Sequence, residues 1–120
     1  MSQLIVVYHY AKCGTCRKAI KWLEEHHHEL KLIPIVEEPP TAEELTKWIE
    51  LSGLELKKWF NTSGEVYKSM ALKDKLPAMS REEQIKLLAS NGKLIKRPVV
   101  TDGQKVTVGF REHEYEMIWA

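Results

Sequence analysis

The chain has 120 residues, 43% of them hydrophobic, with 18 basic against 17 acidic side chains and a formal charge of +1. That length and composition suit one globular domain with a real core and indicate neither a disordered nor a membrane class. The charge balance gives no support to direct nucleic-acid binding, which shows as a strongly basic face. The longest apolar run, Leu4 to Tyr8, is far shorter than the roughly 20 residues that cross a bilayer.

No basic flank and cleavage site of a signal peptide accompanies that run, so a cytoplasmic location is expected. Leu4-Ile5-Val6-Val7-Tyr8 reads as a buried strand. Helical spacing follows: Cys16, Ala19, Ile20 and Leu23 fall on one face, with Arg17, Lys18, Lys21, Glu24 and Glu25 on the others. This helix is expected to fray into solvent across His26-His27-His28. Leu30 to Val36 reads as a second strand, and Pro34 points to an edge or an end.

Thr41 to Glu44 has the spacing of a capping box, with Leu45, Trp48 and Ile49 as the apolar stripe behind it and Gly53 placed to end the helix. Leu56, Trp59 and Phe60 predict a short third helix stopping at Asn61 to Gly64, and Tyr67 to Leu72 a further turn or two. Ser80 to Glu83 is a second capping box ahead of Ile85, Leu88 and Ala89, stopped by Asn91-Gly92. Beyond Pro98, Val99-Val100-Thr101 and Lys105 to Val108 flank Asp102-Gly103, a hairpin signal in which both turn residues would take positive φ. Glu112 to Trp119 predicts a closing helix with Tyr115 and Ile118 on one side. The tryptophans Trp22, Trp48, Trp59 and Trp119 fall mostly on apolar stripes and are expected in the core.

The order is β-α-β, a block of helices, then β-β-α. This is an α/β chain with the thioredoxin arrangement and a helical insertion after the second strand: a single domain over 1–120, with a core of about 1–38 and 93–120 and an insertion of about 39–92.

The two cysteines, Cys13 and Cys16, stand two residues apart at the strand-to-helix turn. A bridge closing so short a loop constrains the unfolded chain little, so redox chemistry or a metal explains the spacing better than stabilisation. A helix N-terminus favours an anion, and a free thiol titrates near ~8.5, so Cys13 is placed to be a thiolate. Lys12, Arg17 and Lys18 add positive charge nearby. Cys13 is therefore the candidate nucleophile and Cys16 the more buried resolving thiol, while Gly14 allows close approach to whatever Cys13 holds. Structural zinc usually takes four ligands. The adjacent His26, His27 and His28 point in different directions, so no metal is expected. Two inert cysteines remain the other alternative. His9 and Tyr10 lie beside the site, and nothing in their spacing marks either as a general base.

Together, Tyr8-His9-Tyr10-Ala11-Lys12-Cys13-Gly14-Thr15-Cys16-Arg17-Lys18, Glu38-Pro39-Pro40-Thr41, Ile95-Lys96-Arg97-Pro98-Val99-Val100 and Val108-Gly109-Phe110 resemble the ArsC/Spx family over nearly the whole chain. The resemblance implies a thioredoxin-like core with an inserted helical lobe and a cis Pro98 facing the cysteines. It implies that the amides of Gly14, Thr15 and Cys16 cradle an anion or substrate thiolate, with Arg97 and Arg111 supplying charge. Glutaredoxin-linked arsenate reductases surround the oxyanion with three arginines; Asn61 stands where the third would be. Those reductases usually lack a cysteine at the Cys16 position, and Spx-type regulators have one. The resemblance thus implies a thiol-disulfide oxidoreductase of the arsenate reductase-like ArsC family. It would hold no bound cofactor and be recycled by a thioredoxin- or glutaredoxin/glutathione-type reductant. Its alternative is an Spx/MgsR-type redox-sensing regulator that binds the C-terminal domain of the RNA polymerase α subunit, with Gly53 as the match to a contact glycine or simply as a helix terminator. Such regulators tend to continue into a basic tail, whereas this sequence stops at Trp119-Ala120, which favours the oxidoreductase. A monomer is expected.

Overall fold

The computed structural model describes residues 4–120, so the first three residues of the expected domain lie outside the described residues. The chain divides into two compact units: everything up to Pro34 together with Arg97–Ala120, and Ile35–Lys96.

The first unit holds a four-stranded sheet. Strand β1 (Leu4–His9) leads through helix α1 (Gly14–Glu25) to β2 (Glu29–Pro34), and the chain returns as β3 (Val99–Thr101) and β4 (Val106–Val108) before helix α6 (Glu112–Ile118). The order is β2-β1-β3-β4. β1 and β2 run parallel, which requires a crossover, here α1; β3 is antiparallel to β1 and to β4. Ile5 and Val7 point to one face of β1 by the strand's period of two. They pack with Ala19, Trp22 and Leu23 of α1, Val100 of β3, and Tyr115 and Trp119 at the end of the chain. The Tyr115 hydroxyl donates to the Gly109 carbonyl at 3.0 Å, and Trp119 Nε1 donates to Thr107 Oγ1 at 3.1 Å. These bonds satisfy the polar ends of two large buried rings.

The second unit is helical. Helix α2 (Ala42–Ser52) and helix α5 (Arg81–Ser90) each begin with a complete capping box, Thr41 with Glu44 and Ser80 with Glu83. α2 ends on Gly53 in the left-handed region (φ 68°), the conformation a glycine tolerates at a helix end. Between them lie a 3-10 turn (Leu56–Trp59), α3 (Glu65–Ser69), α4 (Leu72–Lys75) and a second 3-10 turn (Leu76–Ala78). A backbone bridge between Phe60 and Ile95 ties the first 3-10 turn to the end of the unit. The amide of Lys96 donates to the Trp59 carbonyl and that of Asn61 to the Leu94 carbonyl, each at 2.8 Å. All four tryptophans are buried, as their stripes predict.

Several local expectations need correcting. β2 stops at Pro34 rather than Val36, and the fully buried Ile35 belongs to the second unit. The turn between β3 and β4 has four residues instead of two, because Asp102 Oδ1 accepts the amides of Gln104 and Lys105 and holds a wider loop in which Gly103 alone has positive φ. The predicted segment from Tyr67 to Leu72 is broken at Ala71, which takes a left-handed conformation (φ 52°) between α3 and α4. The histidines do not simply fray. His26 stacks on Trp22 with ring centroids 3.6 Å apart and its Nδ1 contacts the Trp22 carbonyl, His27 turns the chain at φ 63°, and His28 Nε2 meets the Trp119 carbonyl.

Gly92 shows why a residue can be glycine without a positive φ. A Cβ there would lie 2.0 Å from the Ile35 carbonyl oxygen, backbone that cannot swing aside. At Gly14 a Cβ would meet nothing within 4 Å. In urea unfolding we expect Gly92→Ala to lose about 3 kcal/mol through overpacking. Gly14→Ala, at the first residue of α1, should change stability by less than about 0.5 kcal/mol.

Candidate active site

Past the end of β1, the chain makes a tight turn in which the Cys13 amide donates to the Tyr10 carbonyl at 2.9 Å. Cys13 then stands as the N-cap of α1 in extended conformation (φ −94°, ψ 115°). Ser, Thr, Asp or Asn ordinarily caps a helix with a side-chain oxygen. Here the thiol takes that place: Cys13 Sγ accepts the Cys16 amide at 3.3 Å. The same amide that completes the helix end therefore stabilises negative charge on sulfur.

Cys13 is partly accessible and Cys16 buried, and both are free thiols. Burial raises the Cys13 pKa. The Cys16 thiol and amide and the Arg97 guanidinium, which hydrogen-bond to Cys13 and bring charge to it, outweigh burial and hold it below the ordinary value. Burial drives the Cys16 thiol the other way, to about 12; its hydrogen bond to Cys13 and the Cys13 charge reinforce the rise, while the Tyr10 backbone and Arg97 oppose it. The two thiols are pushed apart in acidity by one local geometry, the pattern of a nucleophile beside a protonated partner.

Arg97 arrives from the far end of the sequence. Its Cζ lies 4.5 Å from the centroid of the Tyr10 ring, a cation–π stack that fixes the guanidinium plane. Its Nη1 is buried and donates to nothing. Unpaired buried donors are rare in folded proteins, so this atom marks a place where an acceptor belongs. Pro98 follows through a cis peptide and is buried, its carbonyl accepting the Gly109 amide at 2.9 Å. Gly14 and Thr15 form the exposed first turn of α1.

The structure thus gathers Cys13, Gly14, Thr15, Cys16 and Arg97, with Pro98 next to Arg97 in the chain. It does not bring Arg111 to them by any ion pair or hydrogen bond: that side chain is 71% exposed, and its Nη2 pairs with Glu114 Oε2 at 3.1 Å at the start of α6. Asn61 sits in the second unit, its Nδ2 reaching the Lys93 carbonyl at 3.5 Å and its Oδ1 accepting the Ser63 hydroxyl at 3.4 Å. Lys12, Arg17 and Lys18 are exposed, and the cation that acts on Cys13 is Arg97. Sequence reasoning missed the role of Tyr10, whose partner lies too far along the chain for any local spacing to reveal. Among the described residues, no group of three or more His, Cys, Asp or Glu side chains could hold a metal ion, and no helix is long and apolar enough to cross a membrane.

Comparison with known proteins places this geometry in a lineage. The ArsC family profile matches residues 8–118. The chain is 60% identical over 116 residues to the uncharacterized protein YusI of Bacillus subtilis (strain 168), covering 97% of this chain and 98% of that one. It is 30% identical over 114 residues to the regulatory protein MgsR of the same organism, covering 95% and 89%. A solved structure described as a possible arsenate reductase from Streptococcus mutans UA159 superposes with a TM-score of 0.86 at 42% identity, covering 96% of this chain and 99% of that one. With this profile match, these relatives and a thioredoxin-like core carrying the cysteine pair, the chain belongs to the ArsC family.

Proposed function

We propose that the protein is a thiol-disulfide oxidoreductase of the arsenate reductase-like type, with Cys13 as nucleophile and Cys16 as resolving thiol. The observation that carries this reading is the Cys16 amide donating to Cys13 Sγ at 3.3 Å with Arg97 alongside, while Cys16 itself stays protonated.

On a disulfide substrate, the Cys13 thiolate attacks one sulfur, forming a mixed disulfide and expelling the other sulfur as a thiolate. Two of the influences that keep Cys16 protonated, its hydrogen bond to the Cys13 sulfur and the charge there, disappear at that moment. Cys16 then loses its proton and attacks Cys13 Sγ, releasing the second substrate thiolate and closing the Cys13–Cys16 disulfide. An external dithiol of thioredoxin type, or glutathione with a glutaredoxin, returns two electrons and two protons. With arsenate, the thiolate displaces one oxygen as water. Attack of Cys16 on the Cys13 sulfur leaves both electrons on arsenic, which departs as arsenite. The Gly14 and Thr15 amides and the unpaired Arg97 Nη1 are the donors available to an oxyanion, and the Cys16 amide, which serves Cys13 Sγ in the free thiolate, would join them once that sulfur is bonded. Arg111 could join them by releasing Glu114.

A second reading has its own support, the likeness to MgsR. There the same disulfide reports oxidation to the C-terminal domain of the RNA polymerase α subunit, and the exposed Gly53 at the end of α2 lies on the contact surface.

At pH 8 iodoacetamide should add once, to Cys13, because Cys16 titrates only near about 12. Arg97→Gln should move the midpoint of the rate-against-pH curve upward, since it removes a hydrogen bond and a charge that favour the thiolate. Two adducts at pH 8, or an unmoved midpoint, would count against the assignment of roles. In a thioredoxin-coupled assay, arsenate should drive NADPH consumption that Cys13→Ser abolishes. Turnover with a small disulfide but none with arsenate would remove the arsenate claim. Oxidation-dependent capture of the α-subunit domain, lost in Gly53→Arg, would support the regulator; no capture in either redox state would dispose of it.

A further inference from the structure

We infer that the second unit carries a binding site for a small phosphate-class anion, formed by Lys57, Lys58 and Lys96 around the 61–64 turn, with neither cysteine in its lining. These lysines line one cavity of about 260 Å³ together with Phe60, Asn61, Thr62 and Ser63.

The site is assembled by the fold rather than by sequence adjacency. Lys57 and Lys58 lie on the 3-10 turn Leu56–Trp59, and the Phe60–Ile95 bridge brings Lys96 beside it through the bond from the Lys96 amide to the Trp59 carbonyl. The 61–64 turn closes the cavity, with the Gly64 amide donating to the Asn61 carbonyl at 3.1 Å. A Cβ at Gly64 would come within 2.6 Å of Asn61 Nδ2 and displace that side chain.

The charge is one-sided. The ion pairs among the described residues are Lys86–Glu82, Lys105–Asp102 and Arg111–Glu114, so none of the three cavity lysines is neutralised. No carboxylate lines the cavity, and Glu55 and Glu65, the nearest acids in the sequence, pair with none of these lysines. Isolated exposed lysines are solvated anywhere on a surface. Three that line one concavity raise the positive potential within it.

The donor set suits a compact, multiply charged anion. Lysine is a point-charge donor that binds phosphate well, and three of them around one cavity match the two or more negative charges of a phosphate-class anion better than the single charge of a lone carboxylate. Thr62 adds a hydroxyl donor suited to a tetrahedral anion. The volume falls below the ~300–1,000 Å³ of sites that enclose drug-sized ligands, which favours a small anion over a whole nucleotide.

The test is titration of the full-length protein with pyrophosphate and inorganic phosphate, followed by amide NMR, with citrate as the carboxylate control. Saturable shifts centred on residues 57–64 and 96 are expected, weakening as salt rises. Affinity should fall at least about tenfold in the Lys57→Gln/Lys58→Gln/Lys96→Gln variant and stay unchanged in Cys13→Ser. The inference is overturned by any of four results: no saturable shifts, equal affinity in the triple variant, shifts confined to residues 13–17 that Cys13→Ser removes, or citrate binding as tightly as pyrophosphate. Because the readout does not involve thiol chemistry, its failure leaves the oxidoreductase reading untouched.

Discussion

The bond from the Cys16 amide to the Cys13 sulfur organises the molecule's chemistry. A helix N-terminus carries amides with no intrahelical acceptor, and one of them here is satisfied by a thiol. That single choice of cap has two consequences. It makes the thiolate the better capping group, so the helix end lowers the pKa of the residue it needs. It also places Cys16 one turn along, facing the core, where burial keeps its proton in place until Cys13 has reacted.

The remainder of the first unit supports that end of α1. Ala19, Trp22 and Leu23 anchor the helix against Ile5 and Val7 of β1 and against Tyr115 and Trp119 at the close of the chain. β3 returns Arg97 and Pro98 to the site. Tyr10, in the turn before Cys13, supplies the ring on which the guanidinium rests. An arginine stacked in this way presents its nitrogens in a fixed plane and loses less freedom when it engages an acceptor. The unpaired Nη1 is the place where the fold has left a donor for a partner still to come.

Much of this was legible in the sequence because its signals are local. Leu4 to Tyr8, the i, i+3, i+4 spacing from Cys16 to Leu23, and the two capping boxes each report on neighbours within a turn or a strand. The cysteine pair is local too, and its place at a strand-to-helix turn was visible before any coordinates. What could not be read depends on partners distant in sequence. Tyr10 meets Arg97, Gly92 makes room for the carbonyl of Ile35, and Lys96 joins Lys57 and Lys58 only through a backbone bridge. The turn at Asp102 failed for a different reason: a side-chain oxygen capturing two amides outweighed the two-residue hairpin that Asp-Gly usually signals. Lys12, Arg17 and Lys18 lie near Cys13 in sequence, but the charge that acts on its thiol comes from Arg97, which no local spacing reveals.

The central claim is that Cys13 and Cys16 are one reversible two-electron couple. Equilibrating the protein in dithiothreitol buffers of graded potential, then trapping with acid and weighing it intact, tests this directly. The account predicts a single transition between a form with two alkylatable thiols and a monomeric form with none. Oxidation that instead yields dimers joined through Cys13, or an oxygen adduct on Cys13 with Cys16 still free, would contradict it.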